Sequence, residues 1–202
     1  MNKKSKNKLS GYTILETMIS IALFLVVVMF GMDTLLNANL VSHKTEDLRS
    51  IMDNLSFIME DMSKNLRTGN SFQCFRKEIE TQVTSGDLGP PRSCEDGWAI
   101  AFEPSLGNPT IYTDQWIYAL DTEGQIWKSV NGAQTFSELT PDEVVVDQIS
   151  GFSVLGAPPV SDGLDQQQPL VVIKLVGSIT YKNVVTPFSL QTSVSQRLIE
   201  NY

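Results

Sequence analysis

The sequence predicts an α+β fold, with one long amino-terminal helix followed by an antiparallel β-sheet. Three observations predict it. Apolar side chains keep a helical period from Tyr12 to Arg67, and the period changes to strand-like alternation after Gly69. Turn signals then separate short apolar runs, Asp121-Thr122-Glu123-Gly124 and Asn131-Gly132 among them. At 202 residues and 42% hydrophobic content the chain is long enough to bury a sizeable core. Its net charge of -8 and pI near 4.6 argue against a nucleic-acid binder, which needs a basic footprint. That average hides an asymmetry. Four of the 15 basic residues and none of the acids lie in residues 1–11, which leaves residues 12–202 with 11 bases against 23 acids, a net of -12.

The first element is an apolar helix behind a basic tip. Met1 to Gly11 reads MNKKSKNKLSG, and Tyr12 to Met32 follows with Glu16 as its single charge. These 21 residues match the roughly 20 needed for a helix to cross a bilayer. Lys3, Lys4, Lys6 and Lys8 predict a cytoplasmic amino terminus by the positive-inside rule. A cleaved secretory signal would require a small-x-small site after the apolar core, and Leu23 to Leu36 offers none. A plain anchor fits the hydropathy but gives no reason for Glu16. A carboxylate near the start of a membrane helix costs a few kcal/mol unless it is neutralised, so it marks a function.

Gly11-Tyr12-Thr13-Ile14-Leu15-Glu16, with lysines before it and an uncharged helix after it, resembles the class III signal of type IV pilins and type II secretion pseudopilins. The resemblance covers about the first 30 residues closely and the remainder only in architecture. It implies cleavage between Gly11 and Tyr12 by a membrane aspartyl peptidase on the cytoplasmic side, and methylation of the new Tyr12 amine. It implies that Glu16 meets the amine of a neighbouring subunit and sets the axial register of a filament. An amine with a reference pKa near 8 and a carboxylate satisfy one another in hydrocarbon, where either alone is costly. Pairing of Glu16 with its own terminus is the alternative. The implied partners are other pilin or pseudopilin subunits, the prepilin peptidase, an inner-membrane assembly platform and inner-membrane lipid. Two departures matter. Tyr12 stands where Phe or Met is commoner, and Asp33 occupies the place of the helix proline of major pilins. No proline occurs from Met1 to Gly89, which favours a minor subunit whose helix lacks a proline kink.

The stem continues the helix. Val41, Leu48, Ile51, Leu55, Ile58, Met62 and Leu66 form a stripe widened by Met52 and Met59, and Asp61, Lys64 and Arg67 are among the residues of the polar face. Gly69-Asn70 offers a carboxyl-terminal cap. From Tyr12 to Arg67 such a helix would span about 84 Å. The expected organisation is a leader at 1–11, a transmembrane and filament-core helix at 12–32, an amphipathic stem at 33–69 and a β-rich head at 70–202.

In the head, Phe72 to Gly97 reads as a loop-rich insertion containing Gly86, Gly89, Pro90 and Pro91. Strands are expected at Trp98–Phe102, Gln115–Leu120, Gln125–Val130, Gln134–Leu139, Phe152–Leu155, Leu170–Val176 and Phe188–Val194. Thr140-Pro141-Asp142-Glu143 resembles a capping box and predicts a short helical turn. Gly156 to Pro169 reads as a polar surface loop. Cys74 and Cys94 enclose 19 residues of the insertion. A disulfide is permitted if the head lies outside the cytoplasm, and two thiols are the alternative.

No catalytic set can be assembled. His43, the only histidine, sits on the stem, and no phosphate-binding glycine motif or HExxH is present. No cofactor is implied. Asp142, Glu143, Asp147, Asp162 and Asp165 lack calcium-loop spacing and read as solvated acids. Trp98, Trp116 and Trp127 read as core or cross-strand residues in preference to a carbohydrate platform. The sequence therefore predicts a structural subunit and not an enzyme. The competing reading is a membrane-anchored extracytoplasmic binding module that never polymerises.

Overall fold

The computed structural model describes residues 13–76, 83–108, 110–158, 168–181 and 184–197, apart from the side chains of His43 and Asp47. Helix α1 runs Ile14–Thr68. The chain divides into two compact units at Asp47 and Leu48. In the first unit the helix displays apolar side chains on all sides. Ile14, Met18, Phe24, Val27, Met29, Phe30 and Leu35 are exposed. A helix hydrophobic all round is one whose surroundings are apolar. It is long and apolar enough to cross a membrane.

The second unit joins the rest of α1 to one antiparallel nine-stranded sheet. Its strands are β1 Asn70–Arg76, β2 Cys94–Glu103, β3 Trp116–Leu120, β4 Ile126–Ser129, β5 Ser137–Glu138, β6 Val144–Val146, β7 Gly151–Leu155, β8 Leu170–Tyr181 and β9 Val184–Ser195. The main path runs β5-β4-β3-β2-β7-β8-β6, with β1 joined to β2 and β9 to β8. The amphipathic stripe becomes the core at its outer end. Ile51, Leu55, Ile58, Met59, Met62 and Leu66 are buried against Ile100, Phe102, Tyr118, Phe152, Ile173 and Leu175. Leu55, Met62 and Leu66 are 0% exposed, so each contributes the ~1.5–3 kcal/mol of a fully buried large aliphatic side chain. Val41, in the other unit, is exposed.

Most of the expected strands are present, with β8 and β9 extending further to form a long ladder from Leu170↔Ser195 to Tyr181↔Val184, whereas the strand expected at Gln134–Leu139 shrinks to Ser137–Glu138. The β3–β4 hairpin closes as its sequence predicts. Asp121 Oδ1 accepts hydrogen bonds from the Glu123 and Gln125 amides, and Gly124 supplies a φ of +88°. Three expectations fail. Phe72–Arg76 belongs to strand β1, because Phe72, Cys74 and Phe75 bury their side chains and Gln73 to Arg76 pair with β2. Pro141–Glu143 makes one turn, closed by the Val144 amide on Pro141 O, and then enters β6 instead of a helix. The run Val144-Val145-Val146 wins because alternating burial on a sheet suits β-branched residues better than a helical turn does. Gly69 is not a left-handed cap. Its role is close approach, since a Cβ there would lie 2.5 Å from Phe102 Cδ2. The expected loop at Gly156–Pro169 lies mostly outside the described residues.

The insertion packs on the face of the sheet away from the helix. Val83 and Leu88 join Phe75, Ala99, Ala101, Ile117 and Ala119 in a second apolar cluster. Buried Gln73 fixes this segment through its side-chain amide, donating to Asp87 O at 2.8 Å and accepting from the Gly89 amide at 2.9 Å. Small alanines on β2 and β3 leave room for the covering chain. Both faces of β2 are therefore buried, which explains why Trp98–Phe102 reads as continuously apolar.

Candidate functional site

The expected processing site, Gly11 and Tyr12, lies outside the described residues. Glu16 stands in the first turn of α1 with its side chain exposed. The Glu16 amide donates to Thr13 Oγ1 at 3.3 Å and to Thr13 O at 3.0 Å. Thr13-Ile14-Leu15-Glu16 is thus a Ser/Thr-x-x-Glu cap, with the carboxylate at a helix amino terminus where negative charge is favoured. Sequence reasoning read Glu16 as the residue that sets the filament register and did not consider a local cap. The spacing of Thr13 and Glu16 was the signal that a local cap starts the helix there.

Cys74 and Cys94 form a disulfide with a Cα–Cα distance of 5.7 Å. Both are buried in the core shared by the helix and the sheet. The bridge joins β1 to the start of β2 and passes over Gly97, where any Cβ would run into Cys74 Sγ. Arg92 reinforces the same junction. Its Nε donates to Cys74 O at 3.0 Å and its guanidinium lies 5.5 Å from the Phe75 ring centre.

Two polar clusters escaped sequence reasoning. The first ties α1 to the sheet. Tyr118 Oη donates to Asp61 Oδ2 at 2.9 Å, and Lys128 Nζ donates to the same oxygen at 2.8 Å. Asn65 Nδ2 reaches Asp61 Oδ1 at 3.0 Å and Tyr118 Oη at 2.8 Å. The Lys128 ammonium also lies over the rings of Trp116 and Tyr118, 4.9 and 5.4 Å from their centres. Burial alone would raise the Asp61 carboxyl, but hydrogen bonds from Lys128 and Tyr118 and the Lys128 charge outweigh it and hold the carboxyl below its ordinary value. Burial pushes the Tyr118 phenol far up, and the Asp61 charge adds to the effect. Asp61 belongs to the polar face by periodicity. Its position at the edge of the stripe lets it meet a lysine from β4, a contact no local pattern encodes.

The second cluster sits at the end of the β2–β3 ladder. Glu103 and Gln115 are both 0% exposed. The register pairs Phe102 with Trp116, so Gln115 stands across from Glu103. The Glu103 carboxyl hydrogen-bonds the Asp114 carboxyl and the Asn108 backbone amide, whereas neither polar atom of the buried Gln115 amide has a hydrogen-bond partner among the described residues. Burial first, and the neighbouring Asp114 carboxyl second, push the Glu103 carboxyl up to about 7. Asp114 is oriented by the Asn108 amide, which donates to its Oδ2 at 3.3 Å. Loop residue Gly107 closes over Glu103, since a Cβ there would collide with Glu103 Oε1. An acid at the end of the buried run Ala99–Phe102 was the available signal.

The three tryptophans make no common surface. Trp116 packs on the helix-side core and Trp98 on the opposite cluster, while Trp127 Nε1 donates to Asp121 Oδ2 at 2.7 Å. Asp142, Glu143 and Asp147 lie around β6, and Asp162 and Asp165 fall outside the described residues. Among the described residues, no three His, Cys, Asp or Glu side chains group as a metal site. Compared with models of known protein families, with characterised proteins and with solved structures, the chain gives no significant match.

Proposed function

We propose that the chain is a structural subunit, a minor pilin or pseudopilin, of a type IV pilus-like filament. The observation that carries this reading is one coincidence: a basic leader, Gly11, a glutamate at Glu16 and an uncharged apolar helix behind it. A prepilin peptidase cuts after Gly11, removing the +4 leader while retaining the helix. The freed Tyr12 amine, methylated by the same enzyme, is a cation in hydrocarbon, and Glu16 of an adjacent subunit is its counter-charge. Helices then associate side by side, a natural use for the exposed apolar side chains of the first unit.

In this account the subunit first spans the inner membrane, amino terminus in the cytoplasm and head outside, and then enters a surface or periplasmic filament. The Cys74–Cys94 bridge supports an oxidising compartment for the head. Its partners are other subunits, the peptidase, the assembly platform and membrane lipid. The test is Glu16→Ala, expressed with the filament machinery of its host. Loss of the chain from sheared filaments, with normal membrane levels, is the expected result. Incorporation equal to wild type would overturn the register role and favour a non-polymerising anchored binding module.

A further inference from the structure

We propose that Glu103 and Asp114 share a single proton that latches residues 104–108 to the Tyr112–Asp114 turn, and that loss of this proton as pH rises releases the latch. The latch is a property of the head alone and is independent of the filament reading. Its core is a hydrogen bond that cannot form without a proton. The Glu103 carboxyl is bonded to the Asp114 carboxyl. Two ionised carboxylates offer one another only acceptors, so the bond exists only while one of them keeps its hydrogen. Glu103 is 0% exposed, which removes the water that would otherwise solvate a second negative charge.

The fold builds the latch from three segments. Glu103 ends β2, and Asp114 ends the 3-10 turn shortly before β3. Phe102 pairs with Trp116, so the two carboxyls meet at the mouth of the β2–β3 connection. Residues 104–108 fold over the pair. A Cβ on Gly107 would collide with Glu103 Oε1, and the Gly107 amide donates to Pro104 O at 2.8 Å. The Asn108 amide serves both carboxyls and reaches Asp114 Oδ2 at 3.3 Å. The turn itself is pinned from elsewhere. The Gly132 amide donates to Gln115 O at 3.0 Å, and a Cβ on Gly132 would collide with Thr113. The carboxyl pair thus holds a tight backbone segment against a fixed one.

The surroundings fix the sign of the pH response. Asp114 is the charged group that acts on Glu103. β1 places Asn70 opposite Glu103, Gly69 lies against its carbonyl, and Gln115 and Trp116 follow Asp114, all uncharged. Arg67, in the last turn of α1, is exposed. Burial and repulsion by Asp114 raise the Glu103 carboxyl to about 7, a titration that belongs to the pair and not to one residue. Opening returns Glu103 to water and to its ordinary value of 4.5, so between these two values each opening releases one proton. The closed state is therefore favoured in mild acid and loses ground up to about pH 7, where the dependence ends. Leu106, 99% exposed, rides on the released segment, and exposed Ile111 and Tyr112 lie at the turn. A closed latch holds this apolar tip in one shape.

The test is amide hydrogen exchange of the full chain in detergent micelles, read by NMR from about pH 5 to about pH 8 at Gly107 and Asn108. The Gln125 amide, bonded to Asp121 in the β3–β4 hairpin, is the local reference. Exchange chemistry itself quickens about tenfold per pH unit, and an opening that releases one proton adds a second factor of about ten. The expected slope at Gly107 and Asn108 is about 100-fold per pH unit below about pH 7, against about tenfold at Gln125. Glu103→Gln and Asp114→Asn each replace the shared proton by a permanent amide donor, so each should return both amides to the Gln125 slope. A wild-type slope equal to that of Gln125 would overturn the proposal, as would a steep slope that survives both substitutions. Should Glu103→Gln fail to fold, Asp114→Asn decides the question alone.

Discussion

Replacing Asp61 by alanine should separate α1 from the sheet at one defined point. The substitution removes the shared acceptor of Tyr118 Oη and Lys128 Nζ and one partner of Asn65. Tyr118 is 0% exposed, so its hydroxyl then has no acceptor among these groups, at a cost of about 1–3 kcal/mol. Lys128 loses its ion pair, worth up to about 1 kcal/mol at this partly exposed position, but keeps the Trp116 and Tyr118 rings. The sum is a loss of roughly 1–4 kcal/mol, or a fall in Tm of roughly 2–16 °C for a unit of this size. Tryptophan fluorescence during urea unfolding reads it directly, since Trp116 lies against Lys128. The pH sign follows from the lowered carboxyl. Stability from Asp61 is present above the unfolded-state value near 4 and declines as pH falls through the lower folded-state value. The variant should therefore lose less stability than wild type between neutral pH and about pH 3. A loss below about 1 kcal/mol at neutral pH, or identical acid sensitivity, would refute this account of the clamp.

Two further outcomes follow from the sheet. Cys74→Ser with Cys94→Ser should cost about 3 kcal/mol in the chain-entropy account of a loop of this size, measured by denaturant midpoint, and reductant should reproduce the loss in the wild type. Gly97→Ala should destabilise by a further ~1–3 kcal/mol while the bridge is present, because the new methyl meets Cys74 Sγ; if the double serine variant tolerates it no better, the steric reading fails.

The parts of the fold visible in the sequence were those governed by local rules. The stripe from Ile51 to Leu66 announced a helix with a buried face, and Asp121 to Gly124 announced a hairpin through its turn chemistry. What escaped was set by distant partners. Phe72–Arg76 lies in a stretch rich in glycine, proline and charge, and only pairing with β2 makes it a strand. Pro141 and Glu143 obeyed a local capping pattern that the buried Val144 and Val146 overrode. Among candidate site residues, the pairing of Cys74 with Cys94 was legible. The Glu103 cluster was not, because it assembles from a strand end, a loop and the start of another strand.

The central claim is that the basic tip is a leader cut before the apolar helix. The most direct measurement is the intact mass and amino-terminal sequence of the chain recovered from membranes that contain a prepilin peptidase. The account predicts a mature chain that begins at Tyr12, carries an amino-terminal methyl group and has lost 11 residues. A chain that still begins at Met1 would contradict it.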